Sequence, residues 1–419
     1  MALIYRHRTA HGLDVIGCYL PGLVAAAGVI VGAGSAREGD SRHGVSHVLE
    51  RAAFQATQQR SCEELRCALE GNGLRVGSAL NPEWIRYWVA GLADDLPGAL
   101  PLLAECVFSP LLDAAGIAAA KARAQSVLHR RREQREVYVT DLARTGIYSG
   151  HPLANPTLGT AGSIDSITAD EVRSFHLRHY SAQNIVLVAA GQFDWNWVVD
   201  FAEEHFASGA DWRPDELATA RLAAARMSDR RPGSHQTTAI ALPGPAYRDS
   251  HFYTWAVITQ VLGGGFTSRL FRRVRDEQAM TYAIPARLTA HSCGGEISIC
   301  GTTAAGQACG FVAAVHQTVR ELAVNGVTRG ELAAAKTQMA GQLIMRGESS
   351  AARMHTVLTS AFFTGQARSP EEISAVIDHV TPGDVASVLA QWRDGAPMGL
   401  ATVGPLSAEE LSDALQPAA

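Results

Sequence analysis

The sequence predicts an α+β protein built from two copies of one domain. Each half ends in a helical stretch followed by an apolar strand, over residues 168–191 in the first half and 381–404 in the second. A single shift of 213 residues, from Thr168 to Thr381, also aligns residues 47–50 (His-Val-Leu-Glu) with residues 260–263 (Gln-Val-Leu-Gly). Strand and helix patterns are mixed without strict alternation, which favours α+β over a doubly wound sheet.

Within the first copy, local patterns predict four further elements. Two runs rich in β-branched and aromatic residues are typical of strands, and two others have helical spacing. The first of these helices begins with Ser61-Cys-Glu-Glu, a capping box. The strands are expected at residues 25–33 and 84–92, and the helices at 61–72 and 113–135.

A polar, proline-bearing stretch over residues 208–235 is predicted to link the two copies, which gives domains of 1–207 and 236–419. With 419 residues the chain exceeds a single ordinary core, so two domains are also the expectation from length.

Composition excludes some classes of function. The hydrophobic content of 47% is typical of a globular protein, and a net charge of −5 gives no case for nucleic acid or an anionic membrane as a partner. Only Lys121 and Lys336 among 36 basic residues are lysines, which indicates a GC-rich, bacterial genome. No run resembles an export signal or a membrane span, and the seven cysteines are scattered, so we expect a cytoplasmic protein with reduced thiols.

The sequence contains most of a zinc-peptidase motif. In H-x-x-E-H both histidines bind the metal and the glutamate activates water. Here His47 and Glu50 have the correct spacing, but Arg51 stands where the second histidine belongs. A guanidinium has no lone pair to donate and is always charged in proteins, so it cannot ligate zinc. The motif is therefore degenerate, and we expect no metal in this chain.

Several segments together resemble the M16 (insulinase, mitochondrial-processing-peptidase-like) family, in a bacterial form. The resemblance covers nearly the whole chain and implies two homologous domains, each a mostly antiparallel sheet packed with helices. Besides the degenerate motif, it rests on Gly32-Ala-Gly-Ser-Ala-Arg-Glu, Phe54, Thr57, Asn81-Pro-Glu, Gly150-His-Pro-Leu, Leu158-Gly-Thr and Gly263-Gly-Gly-Phe-Thr-Ser-Arg-Leu-Phe.

The resemblance also implies where a third ligand would lie. Family members take it from a glutamate on a later helix, which carries another glutamate two turns earlier. That helix corresponds to the stretch beginning at Lys121, and the two glutamate positions fall near Arg123 and Arg130. No carboxylate occurs over residues 116–132, so a small alignment slip does not restore the ligand.

Two other interpretations of His47 remain open from the sequence. His43, His47 and His129 would form a rebuilt three-histidine site if the fold gathered them, which would make the chain a self-sufficient enzyme. Otherwise His47 is a half-buried helical histidine that is hydrogen-bonded to a neighbour such as Glu50, three residues along the helix.

The second half contains an arginine and a tyrosine seven residues apart, Arg275 and Tyr282. From residue types alone, Arg275 is a charge on a helix surface and Tyr282 a packing residue of a strand. The resemblance implies instead that they match the Arg…Tyr pair of active M16 peptidases, whose guanidinium and phenol donate hydrogen bonds to the oxyanion. The adjoining strand, expected over 283–290, would add an extended peptide at its edge.

The resemblance therefore implies the zinc-free subunit of a heterodimeric peptidase. A homologous partner would hold zinc and an intact H-x-x-E-H motif, and this chain would supply Arg275 and Tyr282 for hydrolysis of an extended peptide substrate. The alternative is a scaffold without a catalytic role, like the core subunits of respiratory complexes that share this fold.

Overall fold

The computed structural model describes residues 3–39, 42–206, 212, 216–393 and 395–415. The chain divides into two compact units. Unit 1 comprises the described residues of Met1–His129, Asn155–Glu216 and Leu343–Ile373, and unit 2 those of Arg130–Ala154, Leu217–Gln342 and Ser374–Ala419.

Strands are numbered in chain order. They are β1 (Leu3–Arg8), β2 (Asp14–Tyr19), β3 (Val24–Val31), β4 (Arg75–Leu80), β5 (Ile85–Leu92), β6 (Ile185–Gly191), β7 (Arg226–Arg230), β8 (His235–Gly244), β9 (Ala286–Ala290), β10 (Gly295–Ala304) and β11 (Gly399–Gly404).

Helices are numbered in the same way, and the π-helix Phe271–Glu277 lies between α9 and α10. They are α1 (Val45–Ala52), α2 (Cys62–Gly71), α3 (Leu96–Phe108), α4 (Ala114–Glu133), α5 (Arg135–Ile147), α6 (Ala161–Ser166), α7 (Ala169–His179), α8 (Trp195–His205), α9 (Phe252–Gly263), α10 (Ala308–Asn325), α11 (Arg329–Gly347), α12 (Ser350–Thr364), α13 (Pro370–Asp378), α14 (Pro382–Arg393) and α15 (Ala408–Ser412).

Each unit contains one mostly antiparallel sheet packed with helices, as the α+β prediction expects. Unit 1 has six strands in the order β1-β2-β6-β3-β5-β4, and unit 2 has five in the order β7-β11-β8-β10-β9. Only the β2–β6 pair and the β11–β7 pair are parallel among the described strands. The two orders match strand for strand once β1 is left out.

The repeat predicted from the sequence has a direct structural counterpart. Thr168 caps α7 in a capping box with Glu171, and Thr381 caps α14 through reciprocal bonds with Asp384. The strand that follows in each case, β6 or β11, is buried along its whole length. The predicted helix at 61–72 is also confirmed, since Ser61 and Glu64 form the expected capping box on α2.

Two helices pack in the unit that is formed mainly by the other half of the chain. α5 lies in the first half but packs on β8 and β11 in unit 2, whereas α12 lies in the second half and packs on β2, β3 and β6 in unit 1. Local patterns carry no information about such long-range packing, so the contiguous halves 1–207 and 236–419 do not describe this exchange.

The predicted linker at 208–235 also contains a strand. Residues 207–211 and 213–215 lie outside the described residues, but β7 forms within this stretch and pairs in parallel with β11. Its sequence Arg-Met-Ser-Asp-Arg lacks an apolar run and none of its residues is buried, which fits its position at the edge of the sheet.

Candidate active site

The helix that carries the degenerate motif is capped by a carboxylate from outside the helix. Glu38 accepts hydrogen bonds from the backbone N–H groups of Gly44 and Ser46, each at 2.8 Å, and from the Ser46 hydroxyl. Gly44 has φ 100°, a left-handed conformation that favours glycine at this position. Burial raises the pKa of Glu38 to about 7. These contacts fix the start of α1, whose residues Val48 and Leu49 join the core of unit 1.

His47 is fully buried on α1. Its Nδ1 donates a hydrogen bond to the carbonyl oxygen of Leu158 at 3.1 Å, and Nε2 has no partner among the described residues. Burial, assisted by the charge of Arg51, lowers the pKa of His47 to about 4, so the ring is neutral at pH 7. The prediction that Glu50 is its hydrogen-bond partner is wrong, because Glu50 is bonded elsewhere.

Glu50 and Arg51 form a two-bond ion pair. Nε and Nη2 of Arg51 donate to the two carboxylate oxygens of Glu50, and the Ser78 hydroxyl of β4 donates to the same group. The Glu50 side chain is fully buried, whereas 31% of the Arg51 side chain is exposed. The charge that would activate a zinc-bound water is therefore neutralised by the residue that replaces the second ligand. We call His47, Glu50, Arg51 and Ser78 the α1 site.

The helix expected to supply a third ligand is α4, and its side chains do not complete a metal site. Arg123 is half-buried, with an Nη1 that has no partner in the described part of the chain, and Arg130 is exposed. His129 is also exposed, and no cluster of three or more His, Cys, Asp or Glu side chains lies close enough to hold a metal among the described residues. His43, His47 and His129 are thus not gathered, and the α1 site does not fit zinc.

Arg275 lies in the π-helix Phe271–Glu277 of unit 2, which ends in a tight turn. The N–H of Ala279 bonds to the carbonyl of Arg275 and that of Met280 to the carbonyl of Val274, each at 3.0 Å. Ala279 has φ 49°, the left-handed conformation that ends many helices and that is normally taken by glycine. This turn reverses the chain, so that Tyr282 lies beside Arg275. π-Helical segments are rare in proteins, and those that occur are often found at functional sites.

The structure brings the predicted Arg–Tyr pair into direct contact. Nη1 of Arg275 donates to the backbone carbonyl of Tyr282 at 2.7 Å. The guanidinium carbon lies 4.5 Å from the ring centroids of both Phe271 and Tyr282, so that the cation is held between two aromatic faces. Tyr282 is 83% exposed and is therefore not a packing residue of a strand.

A further aromatic ring extends this group. Phe266, in the glycine-rich loop, is 76% exposed and meets Phe271 edge to face at 5.2 Å. We call Phe266, Phe271, Arg275 and Tyr282 the Arg275 cluster. Sequence reasoning missed both phenylalanines, although the Gly-Gly-Gly-Phe pattern with Leu-Phe beyond it was visible.

The strand next to the cluster is an edge strand. β9 begins at Ala286, three residues later than predicted, because the preceding turn and Pro285 interrupt the ladder. It pairs with β10 alone, so one side of its backbone faces away from the sheet. Gly263, at the end of α9, allows close packing here, since a Cβ atom at this position would lie 2.5 Å from the backbone nitrogen of Ala286.

This geometry defines a fold of two units whose sheets share one strand order apart from β1, with an arginine in the place of the second histidine of an H-x-x-E-H motif. Sequence comparison agrees. Residues 20–161 match the model of the insulinase family, peptidase family M16, and residues 166–339 match that of the peptidase M16 inactive domain. The chain belongs to the M16 family.

Relatives and a solved structure extend over most of the chain. A protein of Mycobacterium tuberculosis described as an uncharacterized zinc protease is 28% identical over 403 residues, which are 94% of this chain and 91% of that protein. A Bacillus subtilis protein that is also described as an uncharacterized zinc protease is 24% identical, over 83% of this chain and 85% of that protein. The crystal structure of a peptidase M16 inactive domain from Pseudomonas fluorescens superposes with a TM-score of 0.88 at 22% identity, covering 97% of this chain and 98% of that one.

Among the described helices, none combines the length and the apolar character that crossing a bilayer requires.

Proposed function

We propose that this chain is the zinc-free subunit of a heterodimeric M16 peptidase of the bacterial cytoplasm. Its partner would be a homologous chain with an intact H-x-x-E-H motif and bound zinc. This chain would contribute Arg275 and Tyr282 to the hydrolysis of extended peptides at the partner's metal.

The single observation that carries the proposal is the bidentate ion pair between Arg51 and Glu50. Glu50 is the residue that activates water in this motif, and here both of its carboxylate oxygens already accept hydrogen bonds from the Arg51 guanidinium. The proposal therefore assigns no proton transfer to the α1 site of this chain, and hydrolysis requires a second polypeptide.

The state of the Arg275 cluster supports a role in stabilising the oxyanion. A guanidinium has five N–H donors, and within the described part of the chain Arg275 uses one of them, on the Tyr282 carbonyl. The two rings fix its orientation before substrate arrives, which is the preorganisation that oxyanion stabilisation needs. The Tyr282 side chain is exposed, and no hydrogen bond of its hydroxyl occurs within the described residues.

The substrate class follows from the edge strand. Among the described strands β9 pairs with β10 alone, and it begins only a few residues after Tyr282. An extended peptide that pairs with β9 would run alongside the cluster, with affinity supplied by main-chain hydrogen bonds.

The same contacts also favour a second candidate, a scaffold subunit. Arg275 lies against the rings of Phe271 and Tyr282, and such contacts also stabilise a loop that has no part in catalysis. The two candidates differ in one respect, because a scaffold predicts that turnover in the assembled complex does not depend on Arg275.

The test is reconstitution. The chain is co-expressed with an H-x-x-E-H homologue of similar length from the same genome, and the complex is purified and assayed with an unfolded peptide library. We expect each isolated chain to be inactive and the mixture to cleave, with zinc in the partner alone. Full activity of the partner without this chain, or of this chain without the partner, would contradict the proposal.

A further inference from the structure

A second feature of unit 1 is unrelated to the α1 site and lies on the face of the six-stranded sheet that α12 covers. Gly28 of β3 identifies this face, because a Cβ atom added there would lie 2.5 Å from the sulfur of Met354 on α12. Arg86 pairs with Ile30, two residues from Gly28 along β3, and therefore faces the same side. His355 of α12 packs edge to face on Trp88, with ring centroids 5.7 Å apart.

Arg86 is the charged residue of this face. Its guanidinium carbon lies 5.1 Å above the Trp84 ring. Within the described part of the chain Arg86 makes no ion pair and no hydrogen bond, and burial alone lowers its pKa, without a contribution from any carboxylate. A half-buried cation in this state is destabilising unless an anion neutralises it.

Three nitrogen atoms of this face lack partners among the described residues: Nε of Arg86 itself, Nε1 of Trp84 and Nδ1 of His355. Trp84 is only 9% exposed, so its indole N–H is withdrawn from bulk water. Burial, together with the charge of Arg86, lowers the pKa of His355 to about 4. Native proteins satisfy most buried donors, and a cluster of unsatisfied groups indicates a bound molecule.

We propose that Trp84, Arg86 and His355 form a binding site for an oxyanion, a carboxylate or a phosphate. The indole N–H of Trp84 and the guanidinium of Arg86 are donors, and Nδ1 of His355 is a third when it carries the ring proton; an oxyanion accepts from all three. Water would satisfy the donors but would not neutralise the charge, which is why the occupant is an anion. The Arg86 guanidinium lies over the Trp84 ring, and His355 lies against the Trp88 ring.

The experiment uses the full chain and two readouts, the tryptophan fluorescence and the midpoint of thermal unfolding. The probes are sodium phosphate, N-acetyl-tetraglycine and its C-terminal amide, at ionic strength matched with sodium chloride. We expect phosphate or the peptide acid to raise the midpoint and change the fluorescence saturably. Binding of the acid but not of the amide identifies a peptide carboxylate as the source, whereas binding of phosphate alone identifies a free inorganic anion.

Two variants connect the response to the site. Arg86→Gln is expected to weaken binding about tenfold or more, since a charge-assisted hydrogen bond is lost. Arg75→Gln, an exposed arginine on β4 of the same sheet, is the matched control and should bind like the wild type. The proposal is overturned if none of the probes binds saturably, or if Arg86→Gln binds as tightly as the control.

A third measurement separates binding from a structural role. Without ligand, the unfolding midpoint of Arg86→Gln should lie close to that of the wild type, because the contact with the Trp84 ring is lost together with an uncompensated charge. A large fall in the midpoint, equal with and without phosphate, would mean that the guanidinium is needed for folding and not for a ligand.

Discussion

The α1 site lies in unit 1 and the Arg275 cluster in unit 2, and the two sheets share one strand order apart from β1. The charged side chains of the two regions nevertheless have opposite surroundings. In the α1 site the Glu50 carboxylate is fully buried and paired with its own neighbour, and His47 is buried and neutral. In the Arg275 cluster the cation is held by two rings and one carbonyl, and Tyr282 is exposed. The carboxylate charge of the first region is therefore neutralised within unit 1, whereas the second region is partly exposed at the surface of unit 2.

Two regions of one fold therefore differ in whether a charge is neutralised inside the protein. A buried ion pair contributes little net stability but is costly to break, so replacing Arg51 alone would leave the Glu50 carboxylate buried without its partner. A cation between aromatic rings is oriented without being neutralised.

The largest expected effect is on the rate of peptide cleavage by the reconstituted complex. Arg275→Ala should lower kcat/KM by about 10²–10³-fold, the usual effect of losing one oxyanion donor, and Tyr282→Phe should lower it in the same direction. Glu50→Gln in this chain should leave the rate near that of the wild type. Peptide cleavage assays on the three variant complexes test this, and the reverse pattern would exchange the roles of the two regions.

Breaking the ion pair should destabilise unit 1. Arg51→Leu leaves a buried carboxylate unpaired, and because Arg51 is partly exposed we expect a loss of about 2–3 kcal/mol in the free energy of unfolding, below the full range for buried pairs. Denaturant titration measures it. The double variant Glu50→Gln/Arg51→Leu is the control and should recover much of the loss; equal instability of the single and double variants would refute the pairing.

His47 should make stability depend on pH. Its pKa is lowered in the folded state to about 4 from an ordinary value of 6.5, so the unfolded chain binds the proton more tightly. Its contribution to stability is therefore present above pH 6.5 and is lost as pH falls toward 4, by up to about 3 kcal/mol. Urea titrations at pH 7 and pH 4.5 should show a smaller difference for His47→Gln. An unchanged difference would mean that His47 is protonated normally.

The smallest effect concerns the turn of the Arg275 cluster. Ala279→Gly should stabilise the protein by about 1 kcal/mol, because glycine adopts a positive φ without steric cost. Ala283→Gly, nearby and exposed, lacks that conformation and serves as the control that should not stabilise. Thermal unfolding of both variants is the measurement, and stabilisation by the control alone would argue against strain at Ala279.

The sequence predicted what local interactions determine. The capping box at Ser61, the buried strands β6 and β11 and the repeat of capped helix and strand need only neighbouring residues. The exchange of α5 and α12 between units depends on packing between distant segments, so no local pattern indicated it.

The residues of the candidate site could be predicted from the sequence, but their contacts could not. Residue types alone establish that Arg51 cannot ligate zinc. They do not show that Ser78 and Arg51 both donate hydrogen bonds to Glu50. Because Glu50 is occupied in this way, His47 bonds instead to the carbonyl of Leu158, 111 residues away. The π-turn at 271–277 results from backbone hydrogen bonds that no spacing rule predicts, and the contacts of Arg275 follow from that turn.

Zinc titration of the isolated chain shows whether the α1 site can hold a metal. Apo protein is titrated with zinc by calorimetry, alongside the Arg51→His variant, which restores the motif. We expect no stoichiometric binding to the wild type and none to the variant, since the α4 ligand is also missing. Tight binding of one zinc per wild-type chain, abolished by His47→Ala, would contradict this expectation.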